Sequence, residues 1–280
     1  RTAPGPRSRR RPESDRFRRL MASPSDRRVA RGPAPDLPRM TLLEHLEELR
    51  RRIIWSLLAL VGGALGAFSF SPAIVRFLAA PILRFLPPGS KLAYLGVTEP
   101  FLLYFKVSLL VGAFLAFPVI LLQVWLFISP GLYPHERRWA GPFIFLGWFF
   151  FVLGGAFAFY VAFPFAVEFL LDIGKDFQAV ITADRYFSFL LTILLGLGLM
   201  FELPILIVLL AAIGLVTPRL LLRHFRWAVL VIFIVAAVIT PTSDIVNLML
   251  FAVPTIGLYL LGTAGAALVA RARRRRREAD

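Results

Sequence analysis

Three carboxylates stand out by where they lie along the chain. Glu48 stands in "LEELRRR" at the foot of the first long apolar run, and Glu136 in "GLYPHERRWAGP" between two of the most apolar stretches. Glu202 lies inside a third. A carboxylate so placed can bind a cation, relay a proton, ligate a metal, or only support a helix. "HERRW" opens like a zinc-protease helix, but position 139 is Trp where the second His is needed. The histidines, His45, His135 and His224, are far apart, and Phe169 occupies the place where a phosphate-binding loop ending in Gly174-Lys175 requires Gly. No nucleophile–base constellation appears. The sequence therefore leads us to expect a protein that is not an enzyme, with no cofactor and no metal.

The elements carrying these residues are membrane helices. Of 280 residues 58% are hydrophobic and 18% charged, with mean hydropathy +0.73, whereas a soluble domain carries roughly a quarter charged residues. Asp, Glu, Lys and Arg are absent from 53–75, 107–135, 139–167, 186–201, 227–243 and 245–270. A helix needs ~20 apolar residues to cross the hydrocarbon, so these stretches predict an all-α integral membrane protein with six transmembrane helices. The fourth is expected as one helix over about 186–213 with Glu202 near its middle. The fifth, Trp227 to Ile239, is short, about 20 Å against a core of ~30 Å, and must thin the bilayer or shelter behind neighbours.

"TLLEHLEELRRR" precedes the first span. Thr41 with Glu44 fits a capping box, and Leu42, Leu46, Leu49 and Ile53 form one stripe. Glu47 with Arg51 and Glu48 with Arg52 are favourable i,i+4 pairs, so helix support competes with recognition as the role of these carboxylates.

Arg and Lys set orientation. The side of the N-terminus holds Arg50, Arg51, Arg52, Arg137, Arg138, Arg219, Arg223, Arg226, Arg271 and Arg273 to Arg277. The other side holds Arg76, Arg84, Lys91, Lys106, Lys175 and Arg185. Both termini are accordingly expected in the cytoplasm. The basic ends imply contact with anionic lipid headgroups before nucleic acid. Residues 1–38, rich in Arg, Pro and Ser, are expected to be a disordered basic tail, 39–270 the membrane domain, and 271–280 a basic cytoplasmic tail. Met21 and Met40 are the candidate starts, with 1–20 an upstream extension.

The motifs resemble the TatC family, the multispanning receptor subunit of the twin-arginine (Sec-independent) protein translocase. The matching stretches are "HLEELRRRI" at 45–53, "AAPIL" at 79–83, "VTEPF" at 97–101, "FPVILLQVWLFISPGLYPHERR" at 117–138, "FELPI" at 201–205 and "ITPTSD" at 239–244. The resemblance implies a glove-shaped molecule in the plasma membrane of a prokaryote, with short fifth and sixth helices. It implies binding of twin-arginine signal peptides of folded proteins at the cytoplasmic face. It also implies proton-motive-force-driven export together with single-span TatA/TatB-type subunits, several copies forming a hetero-oligomer. On the family's pattern Glu48 and Glu136 are the signal-binding pair, with Arg50, Phe127, Tyr133 and Pro81 serving or fixing that site. Glu202 matches the family's membrane-embedded glutamate, and Thr240 and Asp244 the outer hinge before the last helix. Where many members carry Gln, this chain has Leu248 with Asn247 beside it, so the polar contact to partner subunits is expected to be shifted or absent.

Physical chemistry gives that pattern a reason. Two adjacent arginines are two planar forks, each able to engage a carboxylate bidentately, which lysine cannot do. Two other classes stay open on the residues: an ion- or proton-coupled secondary transporter using Glu202, and a passive assembly scaffold. No repeat relates the two halves, which counts against the transporter.

Overall fold

The structure, a computed structural model, describes residues 42–85, 92–129, 140–176, 180–240 and 244–279. Thr41, Tyr133, Glu136 and the tail 1–38 lie outside the described residues. Leu46–Asp280 forms one compact unit, and the packing below is that unit's own.

Helix α1 (Leu42–Phe68) leads to α2 (Ser71–Leu83), which Pro72 opens and which carries Pro81 in its last turn. Helix α3 (Glu99–Ile128) follows. The third long apolar element is α4 (Ala140–Phe157), a π-turn (Ala158–Ala162) and α5 (Phe163–Ile173). Pro164 has no N–H to close the regular ladder, and the widened turn immediately before it absorbs the mismatch.

The fourth apolar run corrects the expectation of one unbroken helix. It divides into α6 (Ala183–Met200) and α7 (Leu203–Ala212) at Phe201–Glu202. Pro204 has no N–H to donate and its ring presses on the carbonyl four residues back, at Met200. The Glu202 N–H turns instead to the Leu199 carbonyl, 3.1 Å away, a tighter turn. Gly214, at φ 85°, ends α7 in a left-handed cap where the Leu215 N–H reaches the Leu210 carbonyl at 2.9 Å.

Helix α8 (Pro218–Arg223) starts on Thr217, whose side chain accepts from the Leu220 N–H. Helix α9 (Phe225–Ile239) has 15 residues and spans roughly 22 Å, the short fifth element the sequence predicts. Helix α10 (Ile245–Ala279) has 35 residues, so the short sixth helix implied by the resemblance is corrected. Its apolar stretch is itself long enough to cross a bilayer, and the Arg- and Ala-rich end continues it because both residue types favour helix. Among the described residues, five helical elements are long and apolar enough to cross; α9 and α2 are shorter apolar helices. A count of six spans therefore rests on α9.

The core gathers on α6, where Phe187, Leu190, Ile193 and Leu197 are fully buried. More than half of the α6–α7 window is buried, against 6% of that of α1, so α1 is peripheral. The stripe expected on its lead-in faces outward: Leu46 and Ile53 are each at least half exposed. Helix α10 runs parallel to α7, with Gly262 against Pro204 and Gly265 against Val208. Beside α9 lie two apolar hollows of about 530 and 540 Å³, sharing Leu203, Val231 and Ile232.

Candidate functional site

Glu48 is positioned by the pairing of α1 with α3. The two helices cross where glycines let the backbones meet: a Cβ on Gly112 would stand 2.5 Å from the Ala64 nitrogen, and one on Gly63 2.8 Å from the Gly112 carbonyl oxygen. Towards the start of α1, Arg52 reaches Gln123 of α3, Nη1 donating to Oε1 at 3.3 Å. From Gly63–Gly112 to Arg52–Gln123, each step down α1 matches one step up α3. That antiparallel register puts Phe127, in the last turn of α3, level with Glu48.

The Glu48 carboxylate is mostly enclosed, its side chain 14% exposed. Arg52 Nη2 donates to Oε1 at 2.9 Å, closing one of the two expected i,i+4 pairs. Glu47 with Arg51 is not among the ion pairs of the described residues. Glu48 Oε2 and Arg52 Nε are shielded from solvent and have no hydrogen-bond partner among the described residues. The cluster is thus a half-made fork, with spare accepting capacity on the carboxylate and spare donating capacity on the guanidinium.

By that register Glu48 and Phe127 stand at the same level, at one end of the α1–α3 pair. Arg50, two residues from Glu48, is exposed and points to another face of α1. Pro81 follows the far end of α1 and is not brought to Glu48; it sits in α2, which Tyr186 clasps through an O–H bond to the Leu78 carbonyl at 2.8 Å.

Glu202 occupies the break between α6 and α7. Its Oε2 lies over Gly147 of α4, 3.3 Å from where a Cβ there would be, with Leu121 of α3 alongside. Its Oε1 is shielded from solvent without a hydrogen-bond partner among the described residues. An ionisable group at that depth costs at least ~2.5 kcal/mol in the spanning helix, so an unsatisfied oxygen there is a costly feature to retain.

Thr240, Asp244 and Asn247 build the entrance to α10. Thr240 is buried and donates to the Ala236 carbonyl at 2.7 Å. Asp244 accepts from the Asn247 backbone N–H at 2.7 Å and from its amide Nδ2 at 2.8 Å, a helix cap. Asn247 is 1% exposed, so its side chain faces the unit's own interior; Leu248 packs half-buried against the core.

Two contacts go beyond what the sequence leads one to expect. Gln123 is one, and the only hint of it was an amide inside a long apolar run. The other braces the opposite face, where Lys106 donates to Asp184 at 2.6 Å and to Ser188 at 3.2 Å. Ala93 and Thr182 form a backbone bridge nearby. A lysine at the edge of an uncharged stretch was the available signal.

Comparisons with known proteins give the family. A family model described as the Sec-independent protein translocase protein (TatC) matches residues 44–254. The chain belongs to the TatC family. It is 45% identical over 245 residues to the Sec-independent protein translocase protein TatC of Koribacter versatilis (strain Ellin345), covering 86% of this chain and 90% of that one. The TatC protein of Carboxydothermus hydrogenoformans is 38% identical over 221 residues, covering 79% and 90%. A crystal structure of the twin arginine translocase receptor TatC superposes with TM-score 0.71 at 36% identity, covering 81% of this chain and all of that one. This TatC-family chain is therefore a multi-pass membrane component of the Sec-independent translocase, from a non-catalytic receptor family whose members work among other translocase subunits.

Proposed function

We propose that this TatC-family chain binds twin-arginine signal peptides of folded proteins through Glu48 and Glu136, at a cytoplasmic face to which both termini also belong. With TatA/TatB-type single-span subunits it supports proton-motive-force-driven export through the plasma membrane. The observation that carries the reading is the Glu48 carboxylate, enclosed at the end of the α1–α3 pair level with Phe127, with one oxygen lacking a hydrogen-bond partner among the described residues. A guanidinium fork supplies the missing donors in the geometry a carboxylate accepts best. Glu136 and Tyr133 belong to the segment following α3, and Arg50 adds positive charge that marks the face as cytoplasmic. Pro81 acts at a distance by shaping α2, and Thr240, Asp244 and Asn247 act as a capped hinge ahead of α10. Six spans in a glove-shaped arrangement follow if α9 crosses a locally thinned bilayer. The apolar hollows beside α9 are surfaces that a single-span subunit can cover.

Binding of a twin-arginine peptide to the purified full-length protein tests this. A hydrogen bond to a charged group contributes roughly 1.5–3 kcal/mol, less where water reaches the pair. Glu48→Ala and Glu136→Ala should therefore each weaken binding by about tenfold without lowering protein abundance. Higher salt should narrow the gap between wild type and either variant. Unchanged affinity in both variants would return the carboxylates to helix support. An ion-coupled transporter built on Glu202 predicts instead small-solute uptake into liposomes and no peptide binding.

A further inference from the structure

We propose that Arg52 is a resident guanidinium that an arriving peptide must displace from Glu48, and that Gln123 is the residue that retains it after displacement. The inference rests on Glu48 being a peptide-binding carboxylate and adds two residues and an exchange step to that reading.

The geometry is that of a provisional bond. Arg52 divides its guanidinium between two acceptors, Nη2 on Glu48 Oε1 at 2.9 Å and Nη1 on Gln123 Oε1 at 3.3 Å. It therefore gives Glu48 one hydrogen bond where a guanidinium can give a carboxylate two in parallel. The second carboxylate oxygen is shielded from water and has no hydrogen-bond partner among the described residues, and Arg52 Nε is in the same state. Each shielded, unpaired atom destabilises the resting arrangement. An incoming arginine that engages both oxygens removes that cost at Glu48 and outcompetes a ligand held by a single bond. Oε1 already carries Arg52, so a peptide arginine that takes both oxygens in parallel has to displace it.

Gln123 makes that movement tolerable. It lies 71 residues away in sequence on a different helix, and its amide oxygen is already within bonding distance of the guanidinium. Arg52 can release Glu48 while keeping a neutral acceptor, which also holds its charge to one side of the arriving peptide. Arg52 and Gln123 should thus affect binding in opposite directions, a pattern that general damage to the α1–α3 pair does not produce.

The test measures binding of a twin-arginine peptide to the full-length protein in lipid nanodiscs. Variants are Arg52→Gln, Arg52→Lys, Gln123→Ala, Glu48→Ala and the doubles Arg52→Gln/Gln123→Ala and Arg52→Gln/Glu48→Ala. Arg52→Gln should tighten binding roughly two- to fivefold, the scale of a partly exposed ion pair. Arg52→Lys, which keeps the charge and loses the fork, should fall between it and wild type. Gln123→Ala should weaken binding by a similar factor, and only while Arg52 is present. In the Glu48→Ala background Arg52→Gln should change nothing. Weakened or unchanged binding in Arg52→Gln overturns the exchange and makes Arg52 a support for Glu48. If Arg52→Gln fails to accumulate, weaker binding by Arg52→Lys than by wild type overturns the exchange in its place. Glu48→Ala binding as well as wild type would instead remove Glu48 from the parent reading, an outcome distinct from any result with the Arg52 and Gln123 variants.

Discussion

Among the described residues Glu202 and Glu48 each have one carboxylate oxygen without a hydrogen-bond partner and hidden from water, but their surroundings differ. Glu48 has a cation beside it; Glu202 has a glycine, Gly147, and hydrocarbon. If Glu202 meets a partner subunit or a hydrated path, Glu202→Gln should leave membrane insertion and twin-arginine peptide binding intact. Export or partner recruitment should then fall, by roughly 10–100-fold if one charge-assisted hydrogen bond is lost. Normal export by Glu202→Leu would show the carboxylate to be dispensable. Glu202 was legible from sequence because a lone charge in an apolar run announces itself. The Arg52–Gln123 contact was not, because nothing local links two side chains 71 residues apart. Asp244 and Asn247 fall between these cases: the Asp-x-x-Asn spacing permits the cap, but burial of Asn247 is a property of the packed unit.

At the scale of elements, the α1–α3 crossing depends on the absence of a side chain. Gly112→Ala would drive a Cβ into the Ala64 backbone, and overpacking of that kind costs about 1–3 kcal/mol. Its thermal midpoint in detergent should drop, and twin-arginine peptide binding with it. Gly66→Ala on the same helix α1 meets nothing within 4 Å and should be neutral or stabilising by up to ~1 kcal/mol. Equal loss in both variants would mean that the crossing does not hold α1. The breaks before Pro164 and Pro204 were written in the sequence, yet the apolar run through Pro204 read as one helix. Hydrophobicity reports where a chain can lie in a bilayer, whereas the hydrogen-bond ladder decides whether it stays regular. The length of α10 was missed for a related reason: the apolar run ends at 270, but residues that favour helix carry the ladder on to Ala279.

For the whole molecule, topology turns on α9. The chain has no cysteine, so single cysteines at positions 135 and 280 can be probed with an impermeant thiol reagent outside intact cells. Both should resist labelling. Labelling at 135 would invert the orientation read from the arginines. Labelling at 280 alone would mean that α9 does not cross and that five spans remain. Burial was the least legible property. Helices α1 and α6 both read as apolar runs, yet one is peripheral and the other central. In a soluble protein the polar face of a helix tells them apart; a helix facing lipid has no such face, and only small residues such as Gly63 and Gly112 mark contact.

The sparse attachment of α1 has a mechanical consequence. It meets α3 at the Arg52 hydrogen bond, at the glycine crossing, and at Phe68, whose ring stands edge-on to Phe101 with centroids 6.4 Å apart. Where a push strains the Arg52–Gln123 bond, the crossing becomes a fulcrum under a rigid rod. The arm from Gly63 to Glu48 is roughly 22 Å and the arm from Gly63 to Phe68 roughly 7.5 Å. A sideways displacement of the long arm arrives at the short arm reduced about threefold and reversed in direction. Spectroscopic distances from position 48 and from position 68 to α3 should therefore change in opposite senses when peptide binds.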